Sequence, residues 1–175
     1  LGSQTSQDSP AIRGALLARV DDEDPETAAE ALLGLARRGD PEVLARVQAR
    51  IADPEVFELE NINRVEGAAV STCGRPKAEV FRDRVLDINP EAEITTFLSG
   101  VTPENVEAFM LGASLVLDES ELTRPEIGSL IARRARQQGI PDLLVMNVGF
   151  AAQVTSFAPE SSWTFERFMG FSSEA

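Results

Sequence analysis

The chain has 175 residues, of which 29 are acidic and 16 are basic, so its formal charge at pH 7 is −13. A surface with this excess of negative charge repels phosphate backbones, so we expect no nucleic-acid partner. The sequence contains no histidine and one cysteine, which excludes serine–histidine and cysteine–histidine nucleophile systems, histidine-based zinc sites and internal disulfides. The hydrophobic share of 43% is typical of a globular protein with one domain or two small ones.

The N-terminal segment is polar and rich in serine and glutamine. We expect residues 1–10 to form a disordered lead. No stretch of the sequence approaches the roughly 18 apolar residues that span a bilayer, and the start has no signal-peptide pattern. These features predict a cytoplasmic protein without a membrane partner.

Residues 11–51 have a helical pattern with two clear helix starts. Asp24-Pro25-Glu26 and Asp40-Pro41-Glu42 each place an aspartate N-cap before a proline at the first helical position. The helix that begins at the second start is expected to carry Val43, Leu44, Val47 and Ile51. The two helices resemble a HEAT-type hairpin, and because one repeat cannot bury its own apolar face, we expect it to pack on the rest of the chain.

From residue 52 to the end, apolar runs alternate with helical stretches. Short runs rich in branched and aromatic residues predict strands at Glu93–Leu98, Ser114–Leu117, Leu143–Val148 and Gln153–Phe157. Helices are predicted at Arg75–Ile88, Pro103–Leu111 and Pro125–Gln138. This order predicts an α/β fold with a mainly parallel sheet, covered by helices and preceded by the helical hairpin.

Acidic side chains follow two of the apolar runs. Asp53 comes after residues 50–52, and Asp118 to Glu121 follow residues 115–117. Ligands of open parallel sheets bind beyond the carboxyl ends of the strands, where a carboxylate can accept two hydrogen bonds from ribose hydroxyls. The Asp-Pro-Glu sequence at residue 53 is equally consistent with a third helix start.

Three cations, Arg64, Arg75 and Lys77, are close in the sequence of an otherwise acidic chain. A bidentate guanidinium and a lysine ammonium are groups that bind polyphosphates. Taken alone, the same residues are better explained as ordinary surface charges.

Four motifs occur in a fixed order between residues 51 and 171. They are residues 51–64, Gly74-Arg75-Pro76-Lys77, Asp87-Ile88-Asn89-Pro90 and Leu115-Val116-Leu117-Asp118. Their order and spacing resemble the ThiF/MoeB/HesA family, the adenylyltransferases related to ubiquitin-activating enzymes. The resemblance implies a Rossmann-like sheet, ATP and Mg²⁺ as cofactors, and adenylation of a carboxylate. In that family the carboxylate commonly belongs to a ubiquitin-like or sulfur-carrier protein, and family members are often dimers.

The resemblance also implies roles for individual residues. Asp53 would hold the ribose, Asn61 would shape the adjoining loop, and Arg64 and Lys77 would contact the phosphates. The family's metal-binding aspartate falls on Glu121, and Asp118 is the acid that closes the strand before it. The implied mechanism is attack of a carboxylate on the α-phosphate, catalysed by the positioning and charge of Arg64 and Lys77.

The sequence departs from the family pattern before Asp53, because none of its glycines form a GxG pair. A glycine-rich turn of that kind is the main phosphate-binding device of such folds. Two hypotheses follow: an adenylyltransferase-like domain whose missing nucleotide loop a partner subunit supplies, or a catalytically inactive binding or scaffold module. A truncated or composite chain, with two parts joined near residue 51, is a third.

Overall fold

The computed structural model describes residues 8–45, 47–121, 123–149 and 151–171. The described helices are α1 Pro10–Leu17, α2 Pro25–Ala36, α3 Pro41–Leu44, α4 Lys77–Ile88, α5 Val106–Met110, α6 Pro125–Gln137 and α7 Phe165–Met169. The strands are β1 Gln48–Ala52, β2 Glu93–Phe97, β3 Val116–Asp118, β4 Asp142–Val148 and β5 Ala151–Phe157. The chain divides into two compact units: the first contains the chain up to Ala49 with Phe81–Thr95, and the second contains Arg50–Val80 with the chain from Thr96 onward.

The first unit contains three capped helices. The side chains of Asp24 and Asp40 accept hydrogen bonds from the amides of Thr27 (3.0 Å) and Glu42 (3.1 Å), which confirms both predicted helix starts. Residues 1–7 of the expected lead lie outside the described residues, but Ser9 caps α1 and Pro10 already lies in that helix. The helices pack around a small core of Ala31 and Leu35 from α2, Val43 from α3, and Val20 from the turn after α1.

The predicted helix that begins at Pro41 is wrong beyond Leu44. It was expected to include Val47 and Ile51, whereas the structure ends α3 at Leu44 and begins strand β1 at Gln48. The carbonyl oxygen of Val47 accepts the amide of Glu93 (2.9 Å), just where β1 and β2 begin to pair. Strand pairing with a segment more than forty residues away therefore overrides the local helical pattern, which a window along the sequence cannot detect.

The strands form two hydrogen-bonded groups in the orders β1-β2 and β3-β4-β5. The strands β3 and β4 are parallel, with Val116 opposite Asp142, whereas β4 and β5 are antiparallel. Helices lie between these strands along the chain, so the α/β class predicted from the sequence is confirmed. The antiparallel β5 follows directly on β4, as a hairpin connection requires.

The core of the second unit lies under helix α6. Its buried residues are Val106, Met110, Val116, Ile131, Ala135 and Ile140, with a second group of Ala132, Leu144, Phe157 and Phe165. Gly128 allows α6 to approach closely, because a Cβ atom there would lie 2.6 Å from Cζ of Phe165. Among the helices of the described chain, none has the length and apolar character needed to cross a bilayer.

Candidate functional site

Strand β1 ends immediately before Asp53. The amide of Asp53 donates to the carbonyl of Phe97 (3.2 Å), and its Oδ1 accepts the amide of Glu55 (2.8 Å). The second bond closes a turn around the aspartate side chain. Asp53 is therefore a residue at the end of a strand and not the cap of a third helix.

The segment after Asp53 runs antiparallel to the segment that leads into α4. Val56 bridges Pro76, and the amide of Phe57 donates to the carbonyl of Arg75 (2.9 Å). The amide of Lys77 donates to the carbonyl of Glu55 (2.9 Å). These bonds place Lys77, the first residue of α4, beside Glu55 and close to Asp53.

The side chains of Lys77 and Glu55 form an ion pair between Nζ and Oε2. The lysine side chain is 12% exposed, whereas the glutamate side chain is 56% exposed. The ammonium is therefore largely enclosed, and its counter-ion lies mostly in water.

The charges of Glu55, Lys77 and Glu121 all act on Asp53, and these four residues are called here the Asp53 cluster. Burial raises the pKa of the Asp53 carboxyl, the charges of Glu55 and Glu121 raise it further, and the Glu55 amide and the Lys77 charge oppose the rise. The influence of Glu121 shows that the turn after β3 lies within electrostatic reach of the end of β1. Three acids and one base give the Asp53 cluster a formal charge of about −2 when all four are ionised.

Asn61 holds the loop between Asp53 and Lys77. It is 6% exposed and ends a short 3-10 turn, Leu59–Asn61, where its Oδ1 accepts the amide of Glu58 (2.9 Å). Arg64 lies one turn further on and is exposed, and its Nη1 donates to the carbonyl of Glu60. The structure thus places Lys77 and Glu121 within electrostatic reach of Asp53, and it places Arg64 on the loop that Asn61 supports.

Asp118 and Asp142 form a second acidic centre, called here the buried aspartate pair. Both residues are 1% exposed. Because Asp142 lies opposite Val116 in the parallel register, its side chain and that of Asp118 are on the same face of the strands. Asp118 Oδ1 accepts the amide of Ser120 (2.8 Å), whereas Asp118 Oδ2 and both carboxyl oxygens of Asp142 are the buried side-chain oxygens without a partner in the described chain.

Burial raises the pKa of Asp142 to about 7, and the charge of Asp118 adds to the rise. Asp142 lines a small cavity with Arg133, Arg136 and Glu166. In the described chain neither arginine donates a hydrogen bond to Asp142: Arg133 donates to Glu166 (2.5 Å), and Arg136 donates to the carbonyl of Ser161. Sequence reasoning missed Asp142, since an aspartate between a proline and an apolar run is typical of a turn.

The two residues expected to bind a metal ion have different surroundings. Asp118 is buried, whereas Glu121 is exposed and accepts a hydrogen bond from the hydroxyl of Thr123 (2.9 Å). Within the described ranges, no group of three or more acidic or cysteine side chains is close enough to hold a metal ion. Magnesium in nucleotide sites is commonly held by one or two carboxylates together with phosphate oxygens, and the exposed carboxylate of Glu121 fits that mode.

The chain has an α/β fold, a carboxylate at the end of a strand and an enclosed lysine beside it. This arrangement is typical of nucleotide-binding domains. Comparison with known proteins gives the family. The model of the ThiF family matches residues 34–174, and the chain belongs to that family. The resemblance over residues 51–171 is thereby confirmed, and the match extends further toward the N-terminus.

Two curated relatives show how much of the chain is shared. The tRNA threonylcarbamoyladenosine dehydratase of Bacillus subtilis is 36% identical over 95 residues, which are 54% of this chain and 34% of the relative. The sulfur carrier protein ThiS adenylyltransferase of Escherichia coli is 26% identical over 135 residues, 73% of this chain and 52% of the relative. The chain thus spans about a third to a half of the length of these relatives.

Solved structures show the same fold. The E. coli tRNA N6-threonylcarbamoyladenosine dehydratase TcdA in complex with ATP matches with a TM-score of 0.52 and 22% identity over 78% of this chain and 60% of that one. E. coli MccB with AMPCPP and MccA matches with a TM-score of 0.60 and 10% identity over 85% of this chain and 52% of that one. At these identities the likeness establishes the fold.

Proposed function

We propose that this chain is an ATP-dependent adenylyltransferase-like domain that activates the carboxylate of a protein or a small molecule. The observation that carries the proposal is the Asp53 cluster, in which an enclosed lysine and a second acidic turn both act on a carboxylate at a strand end. The chain belongs to the ThiF family, and its relative TcdA has been crystallised with ATP and with AMP.

The residues have separate roles in this proposal. The free oxygen of the Asp53 carboxyl would accept hydrogen bonds from ribose hydroxyls, because Oδ1 is already bound to the Glu55 amide. Lys77 would contact the phosphates directly, and Arg64 would do so from the loop that Asn61 holds. ATP supplies the adenylyl group, and the chain's part is to orient it and to offset charge.

The charge of the site makes a divalent cation necessary. The Asp53 cluster keeps a charge of about −2 after its lysine is counted, so it repels a nucleoside triphosphate unless a cation offsets that charge. We propose that Glu121, with Asp118 as the acid that closes β3, would hold Mg²⁺, which would offset the charge of the phosphates. Binding of ATP should therefore depend on magnesium.

The acceptor and the assembly of the domain are further parts of the proposal. One curated relative is named as the adenylyltransferase of the sulfur carrier protein ThiS, and the matched structure of MccB contains MccA. These names favour a protein or peptide carboxylate as the acceptor. We propose a cytoplasmic protein that acts as a homo-oligomer or with a partner subunit. The net charge of −13 disfavours nucleic acid and membrane as partners.

A second candidate function is an inactive binding or scaffold module. It is favoured by the lack of a GxG pair anywhere in the sequence, since the amides of such a turn are the usual phosphate cradle. The fold and the Asp53 cluster would persist in this case, but nucleotide affinity would be lost.

Titration calorimetry with ATP separates the two candidates. We expect the wild-type chain to bind Mg-ATP, to bind it at least about tenfold more weakly without magnesium, and to lose at least about tenfold in affinity in Lys77→Ala. The control is Arg134→Ala, which removes an exposed cation that pairs with Glu107. No heat with millimolar Mg-ATP would reject the enzyme and favour the scaffold. Exchange of labelled pyrophosphate into ATP with candidate carboxylates then tests adenylation itself.

A further inference from the structure

The Lys77 ammonium is already engaged by an acidic side chain of the same chain. We propose that Glu55 is a positioning residue that competes with polyphosphates for Lys77. Its carboxylate forms an ion pair with the ammonium until a polyanion replaces it as the partner. This inference rests on the proposed function, since it concerns the same lysine.

The backbone fixes the two residues as neighbours. The Lys77 amide donates to the Glu55 carbonyl (2.9 Å), so the ion pair joins side chains whose main chains are already bonded. The effective concentration of the Glu55 carboxylate at Lys77 is therefore high, and an external phosphate must displace a tethered competitor.

The unequal exposure of the two side chains decides which of them moves. Lys77 is 12% exposed and Glu55 is 56% exposed. The glutamate can rotate into water with little loss of packing, whereas the lysine stem is enclosed where it lies. Displacement would thus move Glu55 and leave the ammonium in place for the incoming group.

The negative charges around the Lys77–Glu55 ion pair limit which anions can replace Glu55. Glu55 also raises the pKa of Asp53 through its charge, and Glu121 acts in the same direction. A ligand gains at Lys77 only if its negative charge outweighs that of the carboxylate it displaces. Pyrophosphate and ATP meet this condition better than AMP, so Glu55 should select for polyphosphates.

Lys77 is the only lysine in the sequence, which allows a test that needs no nucleotide. Acylation of Lys77 by an N-hydroxysuccinimide ester is followed by mass spectrometry in the wild type, in Glu55→Gln and in the control Glu160→Gln. Glu160 is an exposed acid of the same unit, so its variant has the same net charge as Glu55→Gln. We expect acylation to be roughly five-fold faster in Glu55→Gln, the upper range for a partly exposed ion pair, and unchanged in Glu160→Gln.

Calorimetry with Mg-ATP, magnesium pyrophosphate and AMP gives the second readout. We expect Glu55→Gln to bind the first two roughly five-fold more tightly than the wild type, with little change for AMP. In the background of Lys77→Ala, the same substitution should have a smaller effect, because the Lys77 ammonium for which Glu55 competes is absent. Circular dichroism confirms that each variant is folded.

The outcomes separate this inference from the proposed function. Equal acylation rates in Glu55→Gln and the wild type, or an equal gain in affinity with and without Lys77, would overturn the role of Glu55. If the wild type fails to bind Mg-ATP, the proposed function fails, and the acylation rates alone decide whether Glu55 controls access to Lys77.

Discussion

The Asp53 cluster and the buried aspartate pair concentrate acidic groups at two strand ends of the same unit, in opposite surroundings. Asp53 has a lysine within electrostatic reach, and the counter-ion of that lysine is mostly in water. Asp118 and Asp142 are enclosed, and three of their four carboxyl oxygens have no partner in the described chain. A charge beside water can exchange one partner for another, whereas an enclosed one mainly changes stability. We therefore expect the Asp53 cluster to bind ligands and the buried aspartate pair to make stability depend on pH.

The largest expected effect is that of Asp142→Asn on stability as a function of pH. The pKa of Asp142 is about 7 in the folded chain against an ordinary value of 3.8, so folding disfavours its ionised form. The wild type should lose stability as the pH rises from about 4 to above 7, and remain level beyond that. At about 1.4 kcal/mol for each tenfold change in proton affinity, the upper limit is about 4 kcal/mol.

Asp142→Asn should remove this loss, because the amide does not ionise. Urea unfolding of the wild type and the variant between pH 4 and pH 8 measures the difference. Parallel curves for the two proteins would show that Asp142 is neutralised or solvated in the folded state and would break the comparison.

Gly128→Ala should have the next largest effect, a destabilisation of roughly 1–3 kcal/mol. The added Cβ would lie 2.6 Å from Phe165 Cζ and 3.0 Å from the hydroxyl of Ser120, the residue whose amide donates to Asp118. Gly14→Ala is the matched control: it also lies in a helix, and a Cβ there meets nothing within 4 Å. The control should be neutral or stabilising by about 0.5–1 kcal/mol, and equal effects in thermal melts would contradict the close approach at α6.

Asn61→Ala should destabilise the chain by roughly 1–2 kcal/mol, because the Glu58 amide would lose its partner at a partly buried position and the buried Asn61 side chain would be removed. Denaturant unfolding measures the change. Asn63→Ala, two residues along and exposed, should stay within about 0.5 kcal/mol. A neutral Asn61→Ala would mean that the loop carrying Arg64 does not depend on this side chain.

The smallest expected change in stability is that of Asp53→Asn, within about 0.5 kcal/mol at pH 7. The amide oxygen can still accept the Glu55 amide, so the turn after β1 is kept. The same type of substitution is thus expected to have different effects in the two centres. Asp142→Asn should increase stability strongly, whereas Asp53→Asn should change stability little and weaken Mg-ATP binding. A large change in unfolding free energy for Asp53→Asn would show that this centre is structural.

The local patterns that predicted the fold correctly were those decided by neighbours in the sequence. The Asp-Pro pairs at residues 24 and 40 start helices because the cap and the proline act within one turn. Helix α6 was predicted to within one residue of its observed end, since a proline starts it and a glycine follows it. Val47 and Ile51 were predicted wrongly because their partners in β2 are distant in the sequence.

The candidate site was predicted in its residue types but not in its pairing. Asp53, Lys77 and Glu121 were chosen from motifs, and in the structure the charges of Lys77 and Glu121 act on Asp53. The partnership of Glu55 with Lys77 and the burial of Asp142 gave no signal in the sequence, because both depend on which segments lie side by side.

The sequence by itself determined the acidic charge, the absence of histidine chemistry, the helix starts and the family motifs, since each is a property of composition or of neighbouring residues. Only the tertiary structure decided that residues 48–52 form a strand, that Glu55 pairs with Lys77, and that Asp142 is enclosed beside Asp118. The physical reason is that burial and ion pairing depend on distances in space, and segments far apart in the sequence come together only when the chain folds.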